Sequence, residues 1–138
     1  MTAQELARQL ELTDVGKLVF MFEGAHLGSE DMAENEVDGI AYLLTDRQIL
    51  PFGYPFLLSP LPFSTRLHDD LYTLIQTEYL NKRNPIYITE KGSQWVSTIL
   101  QQHGYNLDTL NSLAQNIKEL LTEYRRHAFE LIYTAMTF

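Results

Sequence analysis

The sequence predicts a mainly α-helical, winged-helix-like domain with a small β wing and a long C-terminal helix. Three observations predict it. Residues 62–92 read as Pro-Phe-Ser, an amphipathic helix running to Leu80, a Lys-Arg-Asn-Pro turn, and a short strand at Ile86-Tyr-Ile88. From Leu107 onward, apolar residues recur in steps of three and four over four heptads. Thr2, Thr13, Ser29, Ser64 and Thr89 stand ahead of the apolar-periodic stretches that precede Leu107, where a hydroxyl can accept from a free backbone N–H of the first helical turn.

The elements follow in order. Thr2-Ala-Gln-Glu5 is a capping box and opens a short helix to about Leu10. Thr13 or Asp14 caps a second helix, in which Val15, Leu18, Val19 and Phe22 share a face and which stops near Gly24 to Gly28. Ser29 is expected to cap a third, with Glu30 and Asp31 favourable against the helix dipole and Ala33, Val37, Ile40, Ala41 and Leu44 as its buried stripe. Residues 49–63 hold Pro51, Pro55, Pro60 and Pro62, which impose extended or turn structure. Ser64 caps the next helix, lined inside by Leu67, Leu71, Leu74, Ile75 and Tyr79. Thr89 or Glu90 opens another, carrying Trp95, Val96, Ile99 and Leu100 and ending at Gly104.

The last helix has its seam at Leu107, Leu110, Ala114, Ile117, Leu121, Tyr124, Ala128, Leu131 and Ala135, widened by Leu113 and Leu120. Its final turns are apolar almost all round, so they are expected to be covered, by the N-terminal helices or by a second subunit. Tyr124, Ala128, Leu131 and Ile132 are the dimerisation candidates, and a homodimer is expected. The turn at 103–106 separates a winged-helix-like core, residues 1–104, from the C-terminal helix, residues 105–138.

Composition narrows the function. The chain has 138 residues and no cysteine, which excludes disulfides and thiolate chemistry. The N-terminus lacks the basic patch and apolar run of a signal peptide, and the longest uncharged stretch is broken by its prolines; a cytoplasmic protein without membrane contact is expected. The net charge is −8, and residues 1–60 carry ten acids against three bases. Between Lys17 and Arg47 there are seven acids and no Lys or Arg. Such a face repels phosphate backbones and suits a basic partner or simple solubility.

Leu18-Val-Phe-Met-Phe22, Ile40-Ala-Tyr-Leu-Leu44, Leu61-Pro-Phe-Ser64 and Tyr87-Ile-Thr-Glu-Lys-Gly92 together resemble segments of a known family, the phage-associated winged-helix domain also called the Panacea antitoxin domain. Leu61 stands where that family tends to have glycine, and the C-terminal helix matches no motif of it. The resemblance implies a non-catalytic role in antitoxins or adaptors that bind other proteins, and it brings no catalytic residues.

The residues point the same way. A DNA-binding transcriptional regulator, the alternative, would use Arg66, Lys82, Arg83 and Lys91, but the Ser64–Leu80 helix carries Asp69, Asp70 and Glu78 against Arg66 alone. Glu23-Gly-Ala-His26 has a di-iron ligand spacing without the second copy such sites need. His68-Asp69-Asp70 reads as a surface histidine beside helix acids, because adjacent helical residues point about 100° apart. No metal, cofactor or catalytic activity is expected. Phe52, Tyr54, Phe56 and Phe63 are the protein-interaction candidates, aromatics being favoured at binding hot spots, with core cover as their bland role. The expected function is a protein-interaction module of antitoxin, adaptor or regulatory type.

Overall fold

The computed structural model describes residues 1–58, 60–81 and 84–136, the last three by backbone alone. Within them the chain is mainly helical with two small antiparallel strand pairs. The helices are α1 (Ala3–Gln9), α2 (Asp14–Leu27), α3 (Glu34–Asp46), α4 (Thr65–Gln76), α5 (Glu90–Gln102) and α6 (Asp108–Met136). Strand β1 (Leu57–Leu58) pairs with β2 (Pro62–Phe63), and β3 (Leu80–Asn81) pairs with β4 (Tyr87–Ile88).

Four starts lie where the hydroxyls place them. Thr2, Thr13, Ser64 and Thr89 each accept from the backbone N–H three residues on, capping α1, α2, α4 and α5. The start of α3 differs from the expectation. Ser29 has φ 56° and ends α2 instead of opening α3. Residues between them form a turn in which Met32, fully buried, bridges to Ile86. Ala33 is the true cap residue, and Glu36 accepts from its N–H at 2.9 Å. Ser29 closes α2 through its backbone, whose N–H donates to the His26 carbonyl at 3.0 Å, and Met32 packs into the core where the new helix was expected.

The helix C-termini share one geometry. Glu11, Ser29, Gln48, Glu78 and Gly104 all have positive φ and follow α1 to α5 respectively. After each, two backbone N–H groups turn back onto the last helical carbonyls, as in Ile49 to Leu44 and Tyr105 to Leu100, both at 2.9 Å. Glu78 therefore stops α4 at Gln76, short of the expected Leu80, and frees Leu80 for β3. Only one of the five positions is glycine, so four carry a left-handed penalty. Gln48, exposed with φ 55°, is a clean site to test this. Gln48→Gly is expected to stabilise the protein by about 0.5–1 kcal/mol in chemical denaturation, the relief of strain exceeding the entropy of glycine in the unfolded chain.

Helix α2 is the centre of the molecule, with Leu18, Val19, Phe20, Met21, Phe22 and Ala25 all buried. Helices α4, α5 and α6 pack around it. Gly24, expected near its end, lies inside it, against Leu113 and Ile117 of α6. The seam of α6 faces inward: Leu110, Leu113, Ile117, Leu120 and Leu121 join the same core cluster as α2 and α3. The backbone leaves helical geometry at His127 (φ −142°, ψ 43°), which redirects the last turns toward the β1–β2 hairpin, where the Tyr133 hydroxyl donates to Pro60. The chain itself covers two of the four dimerisation candidates and part of the other two. Tyr124 and Ile132 are buried, while Ala128 and Leu131 are half-buried against the core. No helix among the described residues is long and apolar enough to cross a membrane.

The proline-aromatic segment packs across the domain, and several of its backbone groups are paired. Pro51 accepts from Lys17, Phe52 donates to Thr45, and Gly53 donates to Asp14. Phe52 stacks on Tyr54 at 5.6 Å, and the Tyr54 hydroxyl donates to Asp70 at 2.6 Å. Burial, then Asp70, push that phenol far above its ordinary pKa.

In the Thr-Glu-Lys-Gly segment, Thr89, Lys91 and Gly92 each have a structural reason. Thr89 caps α5, and its hydroxyl also donates to Glu78 and Tyr79 carbonyls. Lys91 donates to the Thr77 carbonyl at 2.8 Å, closing the end of α4, and sits over the Tyr79 ring. Gly92 lets α5 approach β3 and β4, because a Cβ there would lie 2.5 Å from the Tyr79 carbonyl oxygen.

Candidate functional site: an acidic groove between α3, β2 and α6

The most chemically varied surface is a groove of about 620 Å³. Glu34, Asn35, Glu36 and Asp38 supply one wall from the start of α3. Leu61, Pro62, Phe63 and His68 come from the hairpin and α4, and Tyr124, Arg125 and Ala128 from α6 just before and after its kink.

Asp38 organises the site. Its position among Val37, Ile40 and Ala41 puts it on the buried side of α3. One carboxylate oxygen accepts from the Ser64 N–H at 3.0 Å, which ties the N-terminus of α4 to α3. The other meets His68 Nε2 at 2.5 Å. Burial raises the Asp38 carboxyl above the usual aspartate pKa, against the lowering effect of His68 and of the Ser64 N–H. His68 is thus no solvated surface residue, as the His68-Asp69-Asp70 run suggested. Its side chain is 15% exposed, stacks on the Phe63 ring at 4.8 Å, and turns Nδ1 toward Glu34 at 3.4 Å. It pairs with an acid 30 residues away rather than with its neighbours.

Arg125 is clamped just as tightly. It bonds Glu36 at 2.8 Å, the Asp31 carbonyl at 2.5 Å and Glu30 at 3.4 Å. Burial works against the Glu36 charge. The hydrogen bonds from Arg125 and the Ala33 N–H, with the guanidinium charge, outweigh it and hold Glu36 below its ordinary 4.5. A lowered folded-state pKa means stability that is present above the unfolded value and lost as pH falls through the folded one. Glu36→Gln is therefore expected to flatten the acid limb of a stability–pH profile below about pH 4.5, with little effect near neutrality beyond the lost ion pair. An unchanged acid limb would show that the clamp contributes nothing to it.

Tyr124 completes the site. It is 5% exposed, and its hydroxyl is the buried side-chain polar atom that lacks a hydrogen-bond partner among the described residues. Burial, then the charges of Asp38 and Glu36, raise its pKa. Its ring end lies on Gly39, where a Cβ would come within 2.2–2.4 Å of the tyrosine Cζ, Cε2 and Oη.

The other candidates scatter. Phe52 and Tyr54 are core cover, Phe56 is half-buried against Tyr42, and Phe63 is 46% exposed at the groove. Arg66 is exposed on the first turn of α4, and Lys91 is bound at the opposite end, a helix length of about 18 Å away. Lys82 and Arg83 lie outside the described residues. Glu23 is buried and accepts from Ser93, while His26 faces solvent, so the pair does not converge. No group of three or more His, Asp or Glu among the described residues is arranged to hold a metal ion.

The sequence reading missed Asp38, Glu34 and Arg125 as members of one site. A signal for Asp38 was present, namely an acid inside the apolar stripe of α3. Nothing local marks the other two. No protein-family model, curated protein or solved structure matches the chain.

Proposed function

We propose that this protein is a non-catalytic protein-interaction module of antitoxin, adaptor or regulatory type on a winged-helix-like scaffold, and that the α3–β2–α6 groove is where it binds. The order α4, β3, β4, α5 supports that scaffold, as does the likeness of its segments to the phage-associated winged-helix family.

One observation carries the reading: His68, Ser64 and Arg125 at the groove are already engaged by the chain's own groups, while its rim offers an exposed aromatic. Both ring nitrogens of His68 face carboxylates, the Ser64 hydroxyl caps α4, and Arg125 is held by three acceptors. A general base or nucleophile needs a free nitrogen or oxygen within reach of substrate. Phe63, by contrast, presents nearly half its surface beside Leu61, which suits a partner's apolar side chain. The same pairings speak against nucleic acid, since Lys91 and Arg125 are already committed to carbonyls and carboxylates.

The test is retention of a partner from native lysate on immobilised wild-type protein and on Phe63→Asp, identified by mass spectrometry. The expected result is a protein held by wild type and reduced at least severalfold on the variant. No difference between the two baits, or no retained protein, would sink the reading.

A further inference from the structure

We propose that His68 makes this groove pH-sensitive: doubly protonated, it holds Asp38 and Glu34 together and Phe63 in place, and loss of one ring proton opens the Glu34 side and weakens partner binding. The inference rests on the interaction reading above and concerns the regulation of that same site.

The two ring nitrogens set the chemistry. Nε2 meets the Asp38 carboxylate at 2.5 Å, and Nδ1 faces Glu34 at 3.4 Å. An imidazolium donates from both nitrogens, whereas a neutral imidazole donates from one and turns a lone pair outward from the other. Only the charged ring therefore serves both carboxylates at once. When it loses a proton, one carboxylate must face a lone pair. The two acids differ in how easily they withdraw. The Asp38 side chain is 3% exposed and is also tied to the Ser64 N–H, while that of Glu34 is 50% exposed. The remaining N–H thus stays directed at Asp38, and Glu34 turns out into water.

Phe63 links this proton to the partner surface. Its ring stacks on His68 at 4.8 Å with 26° between the planes, and it is the exposed aromatic of the rim. The face of an aromatic ring is negative, so the stack is stronger on an imidazolium than on a neutral ring. Protonation thereby preorganises the side chain a partner meets. No neighbour replaces the lost charge. At the groove α3 presents Glu34, Glu36 and Asp38, α6 presents Tyr124 and Arg125, and β2 presents no charged group. On α4, Tyr72 stands one turn from His68 and meets Glu34 at 3.4 Å. Arg125, the other cation of the lining, is held by Glu36 and Glu30. Of the four histidines, His68 alone is not exposed. Histidine is also the side chain that changes charge between about pH 5 and 8.

Two measurements on the whole protein test it. NMR follows the His68 ring, identified by its absence in His68→Gln, through the histidine range of about pH 5 to 8. The amides of Glu34 and Phe63 are expected to shift with that ring, at one midpoint. The lysate experiment is then run at about pH 6 and about pH 8. Wild-type protein is expected to retain about threefold to tenfold less partner at the higher pH, the worth of one charged hydrogen bond. His68→Gln and Glu34→Gln are expected to lose most of that difference. Glu34→Gln changes a half-exposed side chain, so it reports even where His68→Gln folds poorly. A Phe63 amide that does not follow the His68 ring, or the full pH difference in Glu34→Gln, would overturn the switch. A partner retained equally at both pH values keeps the module and removes the switch. Linked shifts of His68 and Phe63 without any retained protein do the reverse.

Discussion

Gly39→Ala is expected to destabilise the protein by about 2 kcal/mol and to lower its melting temperature by roughly 6–10 °C. The sign runs against helix propensity, by which alanine in the middle of α3 would gain about 1 kcal/mol. The reason is Tyr124, whose ring sits so close over Gly39 that a methyl has no room. The ring cannot swing clear, being 5% exposed and held between α3 and α6. Overpacking of this kind forces either an off-rotamer tyrosine or a shift of α6, at about 1–3 kcal/mol and more where the neighbours are rigid. A second substitution isolates the cause. In a Tyr124→Leu background the collision is gone, so the alanine should cost nothing or stabilise slightly. If Gly39→Ala is equally harmful in both backgrounds, the α3–α6 contact is not as described.

The second large effect is expected at Asp38. Asp38→Ala removes the acceptor of the buried Ser64 N–H and the partner of His68 Nε2 together. One buried and one largely buried donor without partners cost about 3 kcal/mol. Asp38→Asn keeps an acceptor for Ser64 and an amide for His68, and is expected to cost about 1 kcal/mol. The pH dependence distinguishes this from loss of packing. Burial raises the Asp38 carboxyl, so its contribution is fully present below the ordinary aspartate value and declines as pH rises through the raised one. That slope is opposite to the one set by Glu36, and Asp38→Asn should remove it. A difference between wild type and Asp38→Asn that does not change with pH would mean that the carboxyl titrates alike in the folded and unfolded chain.

Both predictions concern contacts between elements far apart in the chain, and that separation explains what a reader of the sequence sees. The hydroxyl caps at Thr2, Thr13, Ser64 and Thr89 act three residues away, and the apolar steps of α6 recur every three or four. Such patterns are written locally, so helix identity and most starts follow from them. The exceptions are local too in kind but not in cause. Ser29 is a good cap residue by type, yet it closes α2, because Met32 packs into the core and pairs with Ile86, 54 residues on. Leu80 fits the periodicity of α4, yet β4 claims it. The seam of α6 would serve a coiled coil as well as a core; α2 and α3 occupy it here.

What the order of residues settled was the helical class, the absence of disulfide and thiolate chemistry, the excess of acid near the N-terminus and the apolar character of α6. Each depends on composition or on neighbours within one or two turns, which every conformation of the chain carries along. Folding alone settled that Glu34, Asp38, His68, Tyr124 and Arg125 meet in one groove, that Tyr124 needs glycine beneath it, and that Lys91 donates to the carbonyl end of α4. Those facts arise from packing between segments tens of residues apart, where shape and burial choose the partner and no short-range pattern names it.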